Sequence, residues 1–153
     1  MNYNRLGNSD ITVSELCMGT WAMSGKGHWG AADDETSLAA LRAAHEAGVN
    51  FFDTADGYGG GHAETLLPRA FGTKLDEIVV ATKVGWAPKD PSKEMDHSRA
   101  AIVACCEDSL RRLGRECVDL LYLHVYDEVT PVAETAAGLR DLLDAGKARA
   151  VGL

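Results

Sequence analysis

The sequence lacks an apolar run long enough to cross a bilayer, and residues 1–5 contain no signal-peptide core. Basic residues are also scarce, because 15 lysines and arginines stand against 23 aspartates and glutamates, a formal net charge of −8. That charge argues against affinity for nucleic acid or for an anionic membrane surface. We therefore expect a cytoplasmic protein with no nucleic-acid partner and no membrane partner.

Metal-ligand patterns are missing as well. The four cysteines (Cys17, Cys105, Cys106 and Cys117) form no CxxC pair, and the five histidines form no HExxH pair. Cysteines placed in apolar strands and helices are typical of buried free thiols. The sequence therefore predicts four buried thiols, no disulfide and no metal.

Strand and helix patterns alternate along the 153 residues, which suffice for one domain. Residues 2–13 read as a small β-hairpin around a Gly-Asn-Ser-Asp turn. Apolar strands are predicted at 15–20, 49–52, 78–83, 119–124 and 149–153, with helices between them that begin near residues 33, 63, 98 and 131. Alternation of this kind indicates an α/β fold whose strands pair in parallel, with the helices as crossovers.

The chain is organised around residues 48–64. A helix ends at Gly48, a short apolar strand follows, and Asp53 stands at the end of that strand. A glycine-rich loop then carries Tyr58 before the next helix begins. In parallel α/β folds, ligands bind at the C-terminal ends of the strands, where Asp53 and Tyr58 would lie. Taken alone, the pattern also fits a turn aspartate and a surface tyrosine.

Two further strands end on a polar side chain, Lys83 in one and His124 in the other. If consecutive strands pair in parallel, Asp53, Lys83 and His124 lie side by side on one rim, and Tyr58 overhangs them. The alternative interpretation is a buried Asp53–Lys83 ion pair with a core histidine and a loop tyrosine. Three chemically complementary strand ends in succession favour a catalytic site.

The residue types suit protonation of an oxygen on which negative charge develops. A free tyrosine is a poor acid near neutrality, but a neighbouring ammonium favours the phenolate. A carboxylate keeps that ammonium charged and oriented, and a histidine can donate a hydrogen bond to a carbonyl oxygen. Reduction of a carbonyl needs this chemistry and a hydride, which a nicotinamide cofactor would have to supply.

At these residues the chain resembles the aldo-keto reductase family. The signature-like segments are Asp-Thr-Ala-x-x-Tyr-Gly at 53–59, Ala-Thr-Lys at 81–83 and Leu-Tyr-Leu-His-x-x-Asp at 121–127. The N-terminal hairpin is similar to the segment that plugs the bottom of that family's barrel. The resemblance runs over nearly the whole chain and rests on several independent motifs.

The resemblance implies a partial (β/α)8 TIM barrel, with residues 1–14 as the hairpin plug and 15–153 as βα units. It implies an NADP(H)-dependent oxidoreductase that reduces small aldehydes and ketones to alcohols. By motif position, Tyr58 would be the general acid, Lys83 its partner, Asp53 the partner of Lys83, and His124 the residue that orients the carbonyl.

The same resemblance implies cofactor contacts from Gly19, Thr20, Trp21 and Asp53, and a substrate pocket formed by Trp21, Trp29 and Trp86. Two local departures are visible. Val125 and Tyr126 replace the Trp-Pro or Arg-Pro that is common after this histidine, and Pro68 stands where the family often has glycine.

A complete barrel takes about 250 residues, so this sequence is expected to be truncated within its fifth strand. The family binds the cofactor's pyrophosphate and adenosine 2′-phosphate mostly with its second half. One alternative is therefore an inactive half-barrel that acts through cofactor binding or through self-association at its exposed edges. Another is a flavodoxin-like binding domain, but Gly19-Thr20-Trp21 opens no GxGxxG phosphate loop.

Overall fold

A small hairpin and a five-stranded parallel sheet organise the computed structural model, which describes residues 1–25, 30–86 and 92–153. In the hairpin, β1 (Tyr3–Arg5) pairs antiparallel with β2 (Thr12–Ser14). The sheet has the order β3-β4-β5-β6-β7, and each neighbouring pair is parallel. Its strands are β3 (Cys17–Gly19), β4 (Phe51–Asp53), β5 (Val79–Val84), β6 (Val118–Leu123) and β7 (Ala148–Gly152).

Four helices connect these strands: α1 (Asp34–Glu46), α2 (His62–Phe71), α3 (Arg99–Leu113) and α4 (Val132–Asp144). Short 3-10 turns cover Trp21–Met23 and Gly72–Glu77. The predicted α/β fold, a hairpin followed by four βα units and a fifth parallel strand, is therefore confirmed. None of the helices in the described ranges has both the length and the apolar character needed to cross a bilayer.

The helix ends follow local chemistry. Asp33 caps α1 by accepting a hydrogen bond from the Thr36 amide at 2.8 Å, and Ser98 caps α3. Thr130 is a residue type that often caps a helix, but its hydroxyl donates to Asp127 at 2.6 Å, and α4 begins after Pro131 without a side-chain cap. Local hydrogen-bond competition of this kind leaves little trace in sequence spacing.

The two faces of the sheet differ in burial because side chains alternate along each strand. Phe52, Val80 and Leu121 are fully buried in the core that the sheet forms with the four helices. The opposite face carries the row Cys17, Phe51 and Val79 and, nearer the C-terminal ends, Asp53, Ala81, Lys83 and Tyr122. This second face corresponds to the interior of a barrel.

The prediction that all four thiols are buried was wrong at Cys17. Cys105 and Cys106 are buried in α3 and Cys117 is half-buried, but Cys17 is exposed. Its strand, β3, stands at an edge of the sheet and pairs with β4 alone among the described strands. An apolar strand sequence therefore did not guarantee burial, which depends on what covers the strand.

The hairpin lies at the N-terminal ends of the strands. Asn50, which directly precedes β4, accepts a hydrogen bond from the Ser14 amide at 2.6 Å and donates to the Thr12 carbonyl at 3.1 Å. Arg149 of β7 contacts Asp10 in the hairpin turn at 3.1 Å. The hairpin thus covers the end opposite to the one where Asp53 and His124 lie.

A buried ion pair joins three elements behind the sheet. Glu64 of α2 has no solvent exposure, and its two oxygens accept from the Thr82 hydroxyl of β5 and from Arg112 Nε of α3, each at 2.5 Å. Removing one partner of such a pair leaves the other charge buried and unpaired in the core.

We expect Arg112→Ala to lower the free energy of unfolding by about 3 kcal/mol or more, because it leaves the Glu64 carboxylate buried without a cation. The matched control is Arg111→Ala, which removes the exposed Arg111–Asp108 pair one residue earlier and should cost less than about 1 kcal/mol. Urea unfolding followed by circular dichroism measures both. Equal losses would show that the buried pair contributes no more than a surface pair.

Candidate active site

The Lys83 ammonium group lies at the centre of the polar cluster on the inner face. Its nitrogen donates to Asp53 Oδ1 at 2.6 Å, to the Thr54 carbonyl at 2.9 Å and to the Tyr58 hydroxyl oxygen at 2.9 Å. An ammonium has three N–H donors, so these three acceptors use all of them. The side chain is only 15% exposed, and the ammonium is therefore held in one place and orientation.

Strand register explains how Asp53 and Lys83 meet. Asp53 pairs with Ala81 across β4 and β5, so Lys83 lies two residues further along the same face. The long lysine side chain spans that offset. The Asp53 carbonyl also accepts from the Thr20 amide at 2.9 Å and the Thr20 hydroxyl at 3.0 Å, which ties the end of β3 to the end of β4.

The glycine-rich loop brings Tyr58 over the strand ends. Gly59, Gly60 and Gly61 all have positive φ, a conformation that favours glycine. A β-carbon at Gly59 would also meet the Ser24 carbonyl group, 3.0 Å from its carbon atom and closer still to its oxygen. The loop therefore packs directly on the backbone that follows β3, and this close approach fixes where Tyr58 lies.

His124 follows β6 directly and stands edge-on to Tyr58, with ring centroids 5.7 Å apart. Burial lowers the pKa of His124, and the nearby Lys83 ammonium lowers it further. Its Nδ1 is buried and has no hydrogen-bond partner among the described residues. His124 is therefore a neutral imidazole at and above neutral pH.

The three tryptophans of the predicted pocket divide into two that the structure describes and one that it does not. Trp21 stacks beside Tyr58 at 6.3 Å, and Trp86 lies 5.8 Å from the His124 ring. Both indoles are nearly half exposed, at 48% and 42%. Trp29 falls outside the described residues, so its place in the pocket stays a prediction.

The predicted cofactor contacts lie beside this cluster. Gly19 ends β3 and is exposed, whereas Thr20 is fully buried with its hydroxyl bound to the Asp53 carbonyl. The Thr20 amide also donates to the Asp53 carbonyl, and the Thr20 carbonyl accepts from the Met23 amide, so Thr20 holds the strand ends together. In the described ranges, no three His, Cys, Asp or Glu side chains are grouped as a metal ion requires.

Sequence reasoning missed two groups at the site. One is the Thr54 carbonyl, which accepts from Lys83 and which no side-chain pattern could reveal. The other is Asp56, whose carboxyl is 4% exposed beneath the Tyr58 loop. Burial, then the neighbouring Glu64, raises the pKa of Asp56 to about 7. A charged residue placed between Ala55 and Gly57 in a motif of small residues was the available signal.

Chemically, the cluster can protonate an acceptor placed above it. Because the Tyr58 oxygen accepts from Lys83, its own O–H is directed to another partner.

A parallel sheet with helices outside and a polar cluster at the C-terminal strand ends is the architecture of a TIM-barrel enzyme. The profile of the aldo/keto reductase family matches residues 15–153. The chain therefore belongs to the aldo/keto reductase family.

Individual relatives agree with this assignment. The chain is 37% identical to aldo-keto reductase YhdN of Bacillus subtilis, over 100% of this chain and 46% of the relative. It is 36% identical to the NADH-specific methylglyoxal reductase of Escherichia coli, over 96% of this chain and 50% of that protein. An aldo-keto reductase from Bacillus halodurans in its holo form superposes with a TM-score of 0.86 at 31% identity, covering 99% of this chain and 50% of that one. The chain thus spans about half the length of these relatives.

We expect Gly59→Ala to destabilise the protein more than Gly60→Ala. Both residues have φ near +65°, so in both variants an alanine in the left-handed conformation should lower the free energy of unfolding by about 1–2 kcal/mol. Only Gly59→Ala also meets the Ser24 carbonyl, since a β-carbon at Gly60 has no neighbour within 4 Å in the described part. Denaturant unfolding and the Tyr58 ring resonances report the difference. If the two variants match in both readouts, the contact with Ser24 does not position the loop.

The midpoint for protonation of His124, measured by NMR of its ring protons, should lie below the ordinary value of 6.5. Lys83→Met should raise this midpoint only partly, because burial is the larger cause. Protonation is disfavoured in the folded state, so His124 contributes stability above about pH 6.5 that is lost as pH falls through its folded pKa. Lys74→Met, an exposed lysine, is the control and should leave the midpoint unchanged. A midpoint at or above 6.5 would contradict the burial of this ring.

Proposed function

We propose that this chain carries the catalytic residues of an NADP(H)-dependent oxidoreductase that reduces small aldehydes and ketones to alcohols. Membership of the aldo/keto reductase family supports carbonyl reduction as the reaction class. The observation that carries the proposal is the Lys83 ammonium, which contacts Asp53 at 2.6 Å and the Tyr58 oxygen at 2.9 Å. An ion pair of purely structural value would not need to hold a tyrosine hydroxyl at the open end of the strands.

In this proposal, Tyr58 is the general acid. It donates its proton to the carbonyl oxygen as negative charge develops there, and the Lys83 ammonium stabilises the phenolate that remains. Asp53 holds the ammonium by accepting one of its three hydrogen bonds. Because the Thr54 carbonyl accepts another, Lys83 cannot turn away from Tyr58 without losing a partner.

His124 orients the substrate. A neutral imidazole donates one hydrogen bond, and the lowered pKa of His124 keeps it neutral at working pH. Since Nδ1 is buried, Nε2 is the atom that would meet the carbonyl oxygen. A neutral donor binds the oxygen without competing with Tyr58 as a proton source.

Residues on the open face fit a nicotinamide ring. We assign its contacts to Gly19, Thr20, Trp21 and Asp53. Gly19 is exposed with no described atom within 4 Å of a β-carbon there, and Trp21 offers a half-exposed indole. A bound nicotinamide would supply the hydride for the carbonyl carbon, which no side chain here can supply. NADP(H) is proposed over NADH from the family resemblance, although one relative is named NADH-specific.

The remaining assignments follow from the same reading. Trp21, Trp29 and Trp86 would line the substrate pocket, and residues 1–14 would plug the barrel beneath the unit formed by 15–153. The cytoplasmic location stays an expectation, and the formal net charge of −8 supports the proposal that neither nucleic acid nor an anionic membrane is a partner.

A second candidate is a half-barrel that associates with itself through its open edges. Leu16 beside the β3 edge is 60% exposed. At the other edge, a cavity of about 490 Å³ lies between β7 and α4, and its lining includes Leu123, Tyr126 and Val132. Exposed apolar surface of this kind favours association. Sedimentation over a hundredfold range of protein concentration tests it: a mass that stays that of one chain excludes this candidate.

Tyr58→Phe should lower the reduction rate by at least about 100-fold and leave NADPH affinity nearly unchanged, since it removes only the proton donor. Aldehyde-dependent NADPH oxidation measures the rate, and nicotinamide fluorescence with NADPH and NADH measures cofactor binding and preference. Tyr3→Phe, which removes a hydroxyl in the hairpin, is the control and should react like the parent. Equal turnover by the Tyr58→Phe variant would remove the role assigned to Tyr58.

A further inference from the structure

Asp56 is a buried carboxyl that the proposed chemistry does not use. It lies under the Tyr58 loop and is 4% exposed. Both of its oxygens are buried, and neither forms a hydrogen bond of good geometry with a described residue. Leaving a buried polar group without a partner is unfavourable, and it is more so for a charged group. A feature of that cost beside a catalytic cluster calls for a function.

The position of Asp56 links the two segments that carry the site. Its own amide donates to the Lys83 carbonyl at 3.2 Å. Burial and then Glu64 raise the pKa of its carboxyl, while the amides of Gly57 and Gly85 lower it without forming a hydrogen bond of good geometry. Gly57 precedes Tyr58, and Gly85 stands between the end of β5 and Trp86. The backbone bond to Lys83 therefore places Asp56 where two loops that are distant in sequence begin, one at Gly57 and the other at Gly85.

The same two loops touch directly above Asp56. A β-carbon at Gly57 would lie 2.9 Å from the Trp86 indole, so the loops are packed as closely as glycine allows. Trp86 in turn lies 5.8 Å from the His124 ring. A shift of Gly57 relative to Gly85 would therefore move Tyr58, Trp86 and the contact with His124 together.

We propose that Asp56 is a positioning residue whose ionised carboxylate draws the Gly57 and Gly85 amides together and so clasps the Tyr58 loop to the end of β5. An anion accepts hydrogen bonds from backbone amides more strongly than a neutral carboxyl does. Protonation weakens both contacts and loosens the clasp. For its effect on turnover, this inference rests on the proposed reductase function.

The charged groups around Asp56 come from several elements. Glu64 of α2 faces it and opposes its ionisation, whereas Arg112 of α3 favours it. From the segment before α3, the buried ring of His97 packs against Gly85, 2.7 Å from where a β-carbon would stand. The strand β5 presents the Lys83 carbonyl and directs the Lys83 ammonium towards Tyr58. The buried cluster of Asp56, Glu64 and Arg112 holds one cation and two carboxyls. Because Arg112 is paired with Glu64, ionisation of Asp56 adds a buried negative charge that no cation neutralises.

The direct test uses the unmodified chain and NMR. The side-chain carbon of Asp56 should titrate near pH 7, and the indole resonance of Trp86 should follow with the same midpoint. In Asp56→Asn the Trp86 resonance should show no such step. Neither measurement needs cofactor or turnover, so the outcome is independent of the reductase assignment. An Asp56 midpoint near the ordinary value of 3.8, or an unchanged Trp86 step in the variant, overturns the proposal.

Stability and activity should move in opposite directions in Asp56→Asn. The folded state favours protonated Asp56, so the group costs stability that grows as pH rises from its ordinary pKa of 3.8 to its folded pKa of about 7 and is largest above that value. The variant should therefore melt at a higher temperature than the parent at about pH 8.5 and gain less at about pH 5.5. Its kcat at the higher pH should fall by about tenfold to a hundredfold through misplacement of Tyr58.

Asp144→Asn, on the exposed end of α4, is the matched control and should change neither quantity. A variant that is less stable at both pH values, or one that is as active as the parent at both, would show that Asp56 does not position the site. If the parent itself shows no reductase activity, the NMR titration still decides on the clasp, and only its catalytic consequence falls with the proposed function.

Discussion

The site depends on one buried ammonium group. Lys83, the last residue but one of β5, carries a positive charge in a place where the side chain is 15% exposed, and such a charge is tolerated only when its donors are satisfied. Satisfying them requires Asp53 from one strand, the Thr54 carbonyl from the following turn and Tyr58 from a glycine loop. The three contacts that stabilise the buried ammonium therefore also bring together the residues to which we assign the chemistry.

Parallel strands made this assembly predictable. A run of apolar residues that ends on a polar one predicts where a strand leaves the core, and parallel pairing of consecutive strands then predicts that those ends are neighbours. Asp53, Lys83 and His124 could be grouped in this way from the sequence, and the structure brings them together with Tyr58. Their catalytic roles stay predictions, since a cluster of the right residues is a condition for the reaction and not a measurement of it.

What the sequence did not predict depends on neighbours that no periodicity encodes. Cys17 has apolar neighbours in the sequence of its strand but is exposed, because β3 is an edge strand in the described structure. The hydroxyl of Thr20, a residue whose contact with a cofactor stays a prediction, is bound to the Asp53 carbonyl, and no sequence pattern encodes that bond. Asp56 escaped attention because its burial and raised pKa arise from α2 and the loop above it, not from its own sequence position. Burial and protonation are properties of packing, and packing is settled only in three dimensions.

The buried charges behind the sheet follow a different logic from those on its open face. Glu64 is paired with Arg112 and with the Thr82 hydroxyl, and these partners offset the desolvation of its buried carboxylate. The pairing also holds α2, α3 and β5 in one arrangement. Asp56 lies close to that pair but has no cation of its own, and a chain selected for stability alone would favour asparagine there. An unpaired carboxyl between two site loops is therefore better explained by function than by folding. Strain of this kind is expected where a structure must hold a reacting group in place.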